Sequence, residues 1–122
     1  MATIMSTFLG IEAQLKVLHW QTSSYAKHQA FGATYDVFSD LVDSFMEIYM
    51  GKNGRIALEG AEDTIQLSNI GELSADDFIN TVLDYLISFD NKLNDQRDSD
   101  LLNLRDEMMA EFNKLKYLLT LK

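Results

Sequence analysis

The chain has 122 residues, 19 acids against 10 bases, a formal charge of −9, and neither cysteine nor proline. The length suits one domain over residues 1–122, and a hydrophobic fraction of 47% is enough for a packed core. The composition excludes disulfides, thiolate metal ligands and cysteine nucleophiles, and its acidity argues against a nonspecific grip on nucleic acid or anionic lipid.

From Ile4 the apolar residues fall at Phe8, Ile11, Leu15 and Leu18, steps of three and four that make one helical stripe. The N-terminus lacks a basic start and its apolar run is broken by Gly10 and Glu12, so a secretory signal is not expected. No segment approaches the ~20 apolar residues of a membrane span, and a soluble, cytoplasmic protein is the default reading. Gln21-Thr22-Ser23-Ser24 is polar and offers caps for a second helix. That helix is expected over about Tyr25 to Met50, with Phe31, Tyr35, Phe38, Val42, Phe45 and Tyr49 inside and Gly51 just past its end. Residues 52–74 form a long connection with room for a short helix near Arg55–Ile65. Ser74-Ala75-Asp76-Asp77 opens a third helix with acids at its positive end, on a stripe of Phe78, Val82, Tyr85, Phe89 and Leu93. A tight polar link, Asn94–Asp98, leads to a fourth helix over about Ser99 to Leu121, with Leu101, Leu104, Met108, Phe112, Leu115 and Leu119 inside. Short first and last links with a long middle one imply an all-α fold: the ferritin-like four-helix bundle, with its long connection between helices 2 and 3.

The histidines are His19, followed by the single tryptophan Trp20, and His28. Asp36, Asp40, Asp43 and Glu47 follow along the second helix, and Asp43 and Glu47 share a face at i,i+4. Imidazole plus carboxylate is a ligand set for Fe(II), Mn or Zn. Each residue also has an ordinary reading. A histidine near a helix end is commonly a cap or surface group, Trp20 fits a core or an interface, and Asp40 fits a solvated face. Asp36 fits either description, and the methionines read as core filler. The intrabundle di-iron signature needs Glu-x-x-His on two helices; Glu12, Glu47, Glu107 and Glu111 are not followed by histidine at that spacing. A metal site would therefore be poorer in ligands or shared between chains.

Leu18-His19-Trp20, His28, Tyr35, Asp43 and Glu47 together resemble the Dps miniferritins, the DNA-binding proteins from starved cells. The separations from His28 to Asp43 and from Asp43 to Glu47 are fifteen and four residues, as in that family. The resemblance is clearest over residues 15–50. It implies a ferroxidase centre across a two-fold dimer interface, where His19 and His28 of one subunit face Asp43 and Glu47 of the other. It further implies that Trp20 takes up oxidising equivalents beside the iron. Fe(II) would be oxidised by peroxide or O2 at a mono-iron or di-iron site, and iron would be stored in a dodecameric cage. Acids near the start of the last helix line the family's pores, for which Asp95, Asp98 and Asp100 are the nearest equivalents.

The chain departs from that pattern in three ways. The segment between the histidines is short, Gly32 stands where the family carries a further acid, and Met1–Phe8 has no basic residue for binding DNA. Direct nucleic-acid binding is therefore not expected. Two alternatives follow: a degenerate Dps-like assembly protein without ferroxidase activity, and a bundle holding Zn or Mn as a structural ion. Short chains of this kind also resemble some phage-encoded proteins, which implies a bacterial cell or a phage-infected host.

Overall fold

A computed structural model describes residues 2–122. It is all-α, a bundle of four helices with no strand among the described residues: α1 (Ile4–Gln21), α2 (Tyr25–Asn53), α3 (Ala75–Ile87) and α4 (Ser99–Leu118). No helix is long and apolar enough to cross a membrane. Side-chain caps open the first three helices. Thr3 accepts from the Ser6 N–H, Ser24 from Lys27 and Ser74 from Asp77, each removing an otherwise unpaired donor of a first turn.

The expected stripes meet in one core. Phe8, Ile11, Leu15 and Leu18 of α1 pack with Phe31, Phe38, Val42 and Phe45 of α2, Ile79, Val82 and Leu86 of α3, and Leu101, Met108, Phe112 and Leu115 of α4. Aromatic rings join the layers edge to face, a favoured geometry. Phe8 lies 5.3 Å from Phe45, 5.9 Å from Phe89 and 6.0 Å from Phe38, and Phe38 lies 5.2 Å from Phe112.

The long connection runs the length of the bundle against α1. Asp63 accepts from the Thr3 N–H at 2.7 Å and the Ser6 hydroxyl at 2.6 Å. Farther along, the Gln14 amide exchanges two 2.9 Å hydrogen bonds with the Ser68 backbone. At the far end Gln21 reaches Asn69 and the Ile70 N–H, both at 2.8 Å. The third helix thus starts at the end of the bundle where α1 finishes.

Several ends differ from expectation. Gly51 does not end α2; the helix continues to Asn53 and ends at Gly54, whose φ of +88° suits glycine and whose N–H bonds the Met50 carbonyl at 2.8 Å. Lys52 secures the extra turn by pairing with Asp100 at 2.8 Å and the Arg97 carbonyl at 2.6 Å, at the start of α4. The short helix expected near Arg55–Ile65 is a single 3-10 turn, Gly60–Asp63, gathered round the Asp63 carboxylate. The third α-helix stops at Ile87 and tightens into a 3-10 turn over Ser88–Asn91, which still buries Phe89. Arg105, buried on α4, bonds the Leu86 carbonyl at 2.8 Å and pairs with Asp90 at 2.8 Å. The last helix ends at Leu118, three residues before Leu121.

Candidate functional site

A three-residue turn, Thr22–Ser24, joins α1 to α2 and brings the two histidines together. The Thr22 N–H bonds the Leu18 carbonyl at 3.1 Å, the Ser24 N–H bonds the Thr22 hydroxyl at 3.2 Å, and Ser24 then caps α2. The His19 and His28 rings stack with centroids 3.9 Å apart and planes 16° from parallel. Their Nδ1 atoms are tied reciprocally: His19 Nδ1 lies 2.7 Å from the His28 carbonyl oxygen, and His28 Nδ1 lies 2.8 Å from that of His19. A carbonyl oxygen only accepts, so each Nδ1 carries the proton. In the neutral imidazole the lone pair then sits on Nε2. Tying one ring nitrogen to a carbonyl is how proteins commonly orient a metal-binding histidine.

Lys16, Gln29, Gly32, Ala33 and Asp36 line a cavity with this pair. Lys16 Nζ stands 4.3 Å from the Tyr35 ring centroid and 5.7 Å from that of Trp20. Trp20 is 70% exposed and Tyr25 76% exposed, an unusual display of large aromatic surface at one end of a small bundle.

Asp43 lies elsewhere on the same α1–α2 face. It borders a second cavity with Glu12, Ser39 and Asp40, between the apolar side chains of Met5, Leu9, Val42 and Met46. Burial raises the Glu12 pKa; the Ser39 hydroxyl opposes the shift and the Asp43 charge adds to it. Glu47 is exposed one turn beyond Asp43. Fifteen residues of helix separate His28 from Asp43, about 22 Å at ~1.5 Å per residue. One chain therefore joins His19 to His28 and leaves Asp43 and Glu47 apart from them. Among the described residues no three His, Asp or Glu side chains are grouped to hold one ion. As a metal site the histidine pair fits as one half: two oriented nitrogen donors, with Asp36 as the carboxylate lining their cavity and too few donors grouped to complete a shell.

One part of this face was not evident from spacing. Glu12 meets Asp43 across two helices, and nothing local in the sequence marks that meeting. Of the acids compared with pore residues, Asp98 and Asp100 lie 3.6 and 2.8 Å from Lys52, so their charge is partly neutralised, whereas Asp95 is exposed.

The model of a family described as "Family of unknown function (DUF5856)" matches residues 19–119. The chain belongs to this family. The part matched to DUF5856 begins at His19 and takes in Trp20, His28, Gly32, Asp43 and Glu47 together with α2, α3 and α4. The chain is also similar to the "Uncharacterized 14.6 kDa protein in mobD-ri intergenic region" of Enterobacteria phage T4. The two are 25% identical over 118 residues, covering 97% of this chain and 86% of the phage protein. No solved structure matches.

Proposed function

We propose that this DUF5856 chain is a Dps-like miniferritin subunit that binds and oxidises Fe(II) at sites shared between two copies. The observation that carries this reading is the His19–His28 clasp, in which both Nδ1 atoms are spoken for and both Nε2 atoms are left as donors. The missing ligands are carboxylates, and Asp43 and Glu47 lie on the same α1–α2 face, too far along α2 to serve their own histidines. A two-fold pairing that runs the faces in opposite directions sets His19 and His28 against Asp43 and Glu47 of the partner subunit, and symmetry makes two such sites.

Fe(II) is the substrate in this reading. Peroxide takes one electron from each of two Fe(II) ions, its O–O bond breaks, and with two protons both oxygens leave as water; O2 is the alternative oxidant. The imidazoles add ligands without charge, the carboxylates offset the cation's charge, and Trp20 stands at the histidine end to take up stray oxidising equivalents. Dimers assemble further into a cage, twelve subunits in the resembled family, that stores or detoxifies iron in the cytoplasm of a bacterium or a phage-infected host. A charge of −9 attracts cations and disfavours DNA.

Complementation tests the shared site. The variants His28→Ala and Asp43→Ala should each lose saturable anaerobic Fe(II) binding and peroxide-driven oxidation. Unfolded together and refolded, they should regain about a quarter of the wild-type sites, because half the dimers are mixed and each mixed dimer keeps one intact site. No recovery, or full activity in either variant alone, overturns the shared site.

The second reading is an assembly protein of the same fold without iron chemistry, favoured by the apolar side chains Leu9, Trp20, Tyr25 and Val37 exposed on α1 and α2. It predicts a defined oligomer whose mass and stability survive replacement of both histidines.

A further inference from the structure

Gly32 lies one turn after His28 on α2. A Cβ built on it would stand 2.9 Å from Cε1 and 3.0 Å from Nδ1 of His19. Side-chain carbons do not approach an aromatic ring so closely, so the His19 imidazole occupies the space that any other residue's Cβ would take. The ring cannot simply swing aside. Its Nδ1–H is bonded to the His28 carbonyl at 2.7 Å, and its face lies 3.9 Å from the His28 ring. Moving it breaks both contacts.

Nothing in the backbone requires glycine here. Only Gly54 and Gly60 among the described glycines have positive φ, and residue 32 is ordinary α-helix. Glycine inside a helix is unfavourable relative to alanine, so a local explanation is lacking and the packing explanation stands.

We infer that Gly32 is a positioning residue: by withholding a side chain it seats the His19 ring against α2 and so fixes the direction of both Nε2 donors. Where the resembled family carries a further acid, this chain leaves space that the His19 ring fills. The metal-binding consequence rests on the miniferritin reading, whereas the seat itself does not. The site loses an oxygen donor and keeps its two nitrogen donors, a balance that favours Fe(II), Co(II) or Zn(II) over Mn(II) or Mg(II).

The test uses the full chain and the variants Gly32→Ala, His19→Ala and the two combined. Long-range 15N–1H spectra of the imidazoles at pH 8, above the usual histidine pKa of ~6.5, report which ring nitrogen is protonated. In the metal-free wild-type protein both rings should show the Nδ1–H form. In Gly32→Ala the His19 signal should lose it while His28, whose partner is the backbone of residue 19, keeps it. Urea unfolding supplies the second readout. Gly32→Ala should lower the midpoint when His19 is present and raise it in the His19→Ala background, where the ring is gone and alanine's helix preference remains. The combined variant folds without the clash, so the comparison survives if Gly32→Ala alone folds poorly. Co(II) titration should show at least tenfold weaker binding in Gly32→Ala than in wild type. An unchanged His19 signal in Gly32→Ala, or the same midpoint shift in both backgrounds, overturns the seat. Wild-type protein that shows both Nδ1–H signals and the background-dependent shift but binds no Co(II) supports the seat and overturns the metal reading.

Discussion

Thr34 sits on the inner side of α2 with 1% of its surface exposed, and its Oγ1 has no hydrogen-bond partner. A buried hydroxyl left unpaired costs ~1–3 kcal/mol of desolvation. Valine has nearly the same shape and a similar helix preference, so Thr34→Val should raise stability by about 1 kcal/mol, read as a higher urea midpoint with an unchanged slope. The same scale shows how far single residues of the candidate site could be read in sequence. His19 and His28 lie nine residues apart across a polar turn; the resemblance alone put them in one site, and their stacking depends on how that turn closes. Gly32 read there only as an absent carboxylate. That its empty side holds a histidine ring depends on where α1 lies against α2, which no local pattern encodes. Glu12 was passed over for the same reason, because its neighbours Ser39 and Asp43 belong to another helix.

Among the elements, the four helices were legible because each buries a stripe spaced at three and four residues, the signal that burial itself imposes. Their ends were less so. Gly51 is a reasonable stop, but Lys52 finds partners in Arg97, Asp98 and Asp100, and this tertiary pairing carries α2 to Gly54. The connection between α2 and α3 was legible as a long span, while its path was not, since Asp63, Ser68 and Asn69 find their partners 48 to 60 residues away. Asp63 is the main clasp at the start of α1. The Ser6 hydroxyl, then the Thr3 and Glu59 N–H groups, hold its carboxyl well below the ordinary value of 3.8. A folded pKa below the unfolded one means that this stability is present above the ordinary value and lost as the pH falls beneath it. Asp63→Asn should therefore lower the urea midpoint at pH 7, and the gap to wild type should narrow steadily as the pH falls below 3.8, where the unfolded chain takes up a proton that the folded carboxyl still resists. Ser68 amide exchange should quicken in the same variant at neutral pH, because the connection is freed at one end.

For the whole molecule the question is what covers the α1–α2 face. A chain of this size buries a modest share of its surface, and a charge of −9 opposes self-association. Pairing is favoured where unlike charges meet, and the face is unevenly charged: Lys16 and Asp36 stand together at the histidine end, and the acids Glu12, Asp40, Asp43 and Glu47 lie beyond it. An antiparallel pair sets each cation against acids, whereas a parallel pair sets acids against acids. The position of the sole tryptophan on this face supplies a direct probe. With Trp20 70% exposed in the single chain, fluorescence of the dilute protein should peak at the long wavelengths of a hydrated indole and be readily quenched by acrylamide. As concentration rises, the peak should move to shorter wavelength and quenching should fall, in step with the mass measured by sedimentation. Lys16→Glu replaces the ammonium that lines the histidine cavity with a carboxylate, which in the proposed antiparallel pairing would meet Asp43 or Glu47 of the second copy. Like charges across an interface cost affinity, so this variant should need at least tenfold more protein for the same spectral shift, and added salt should narrow the gap. If the emission stays that of an exposed tryptophan while the mass increases, association uses another face, and the histidines of one chain do not meet the acids of the next.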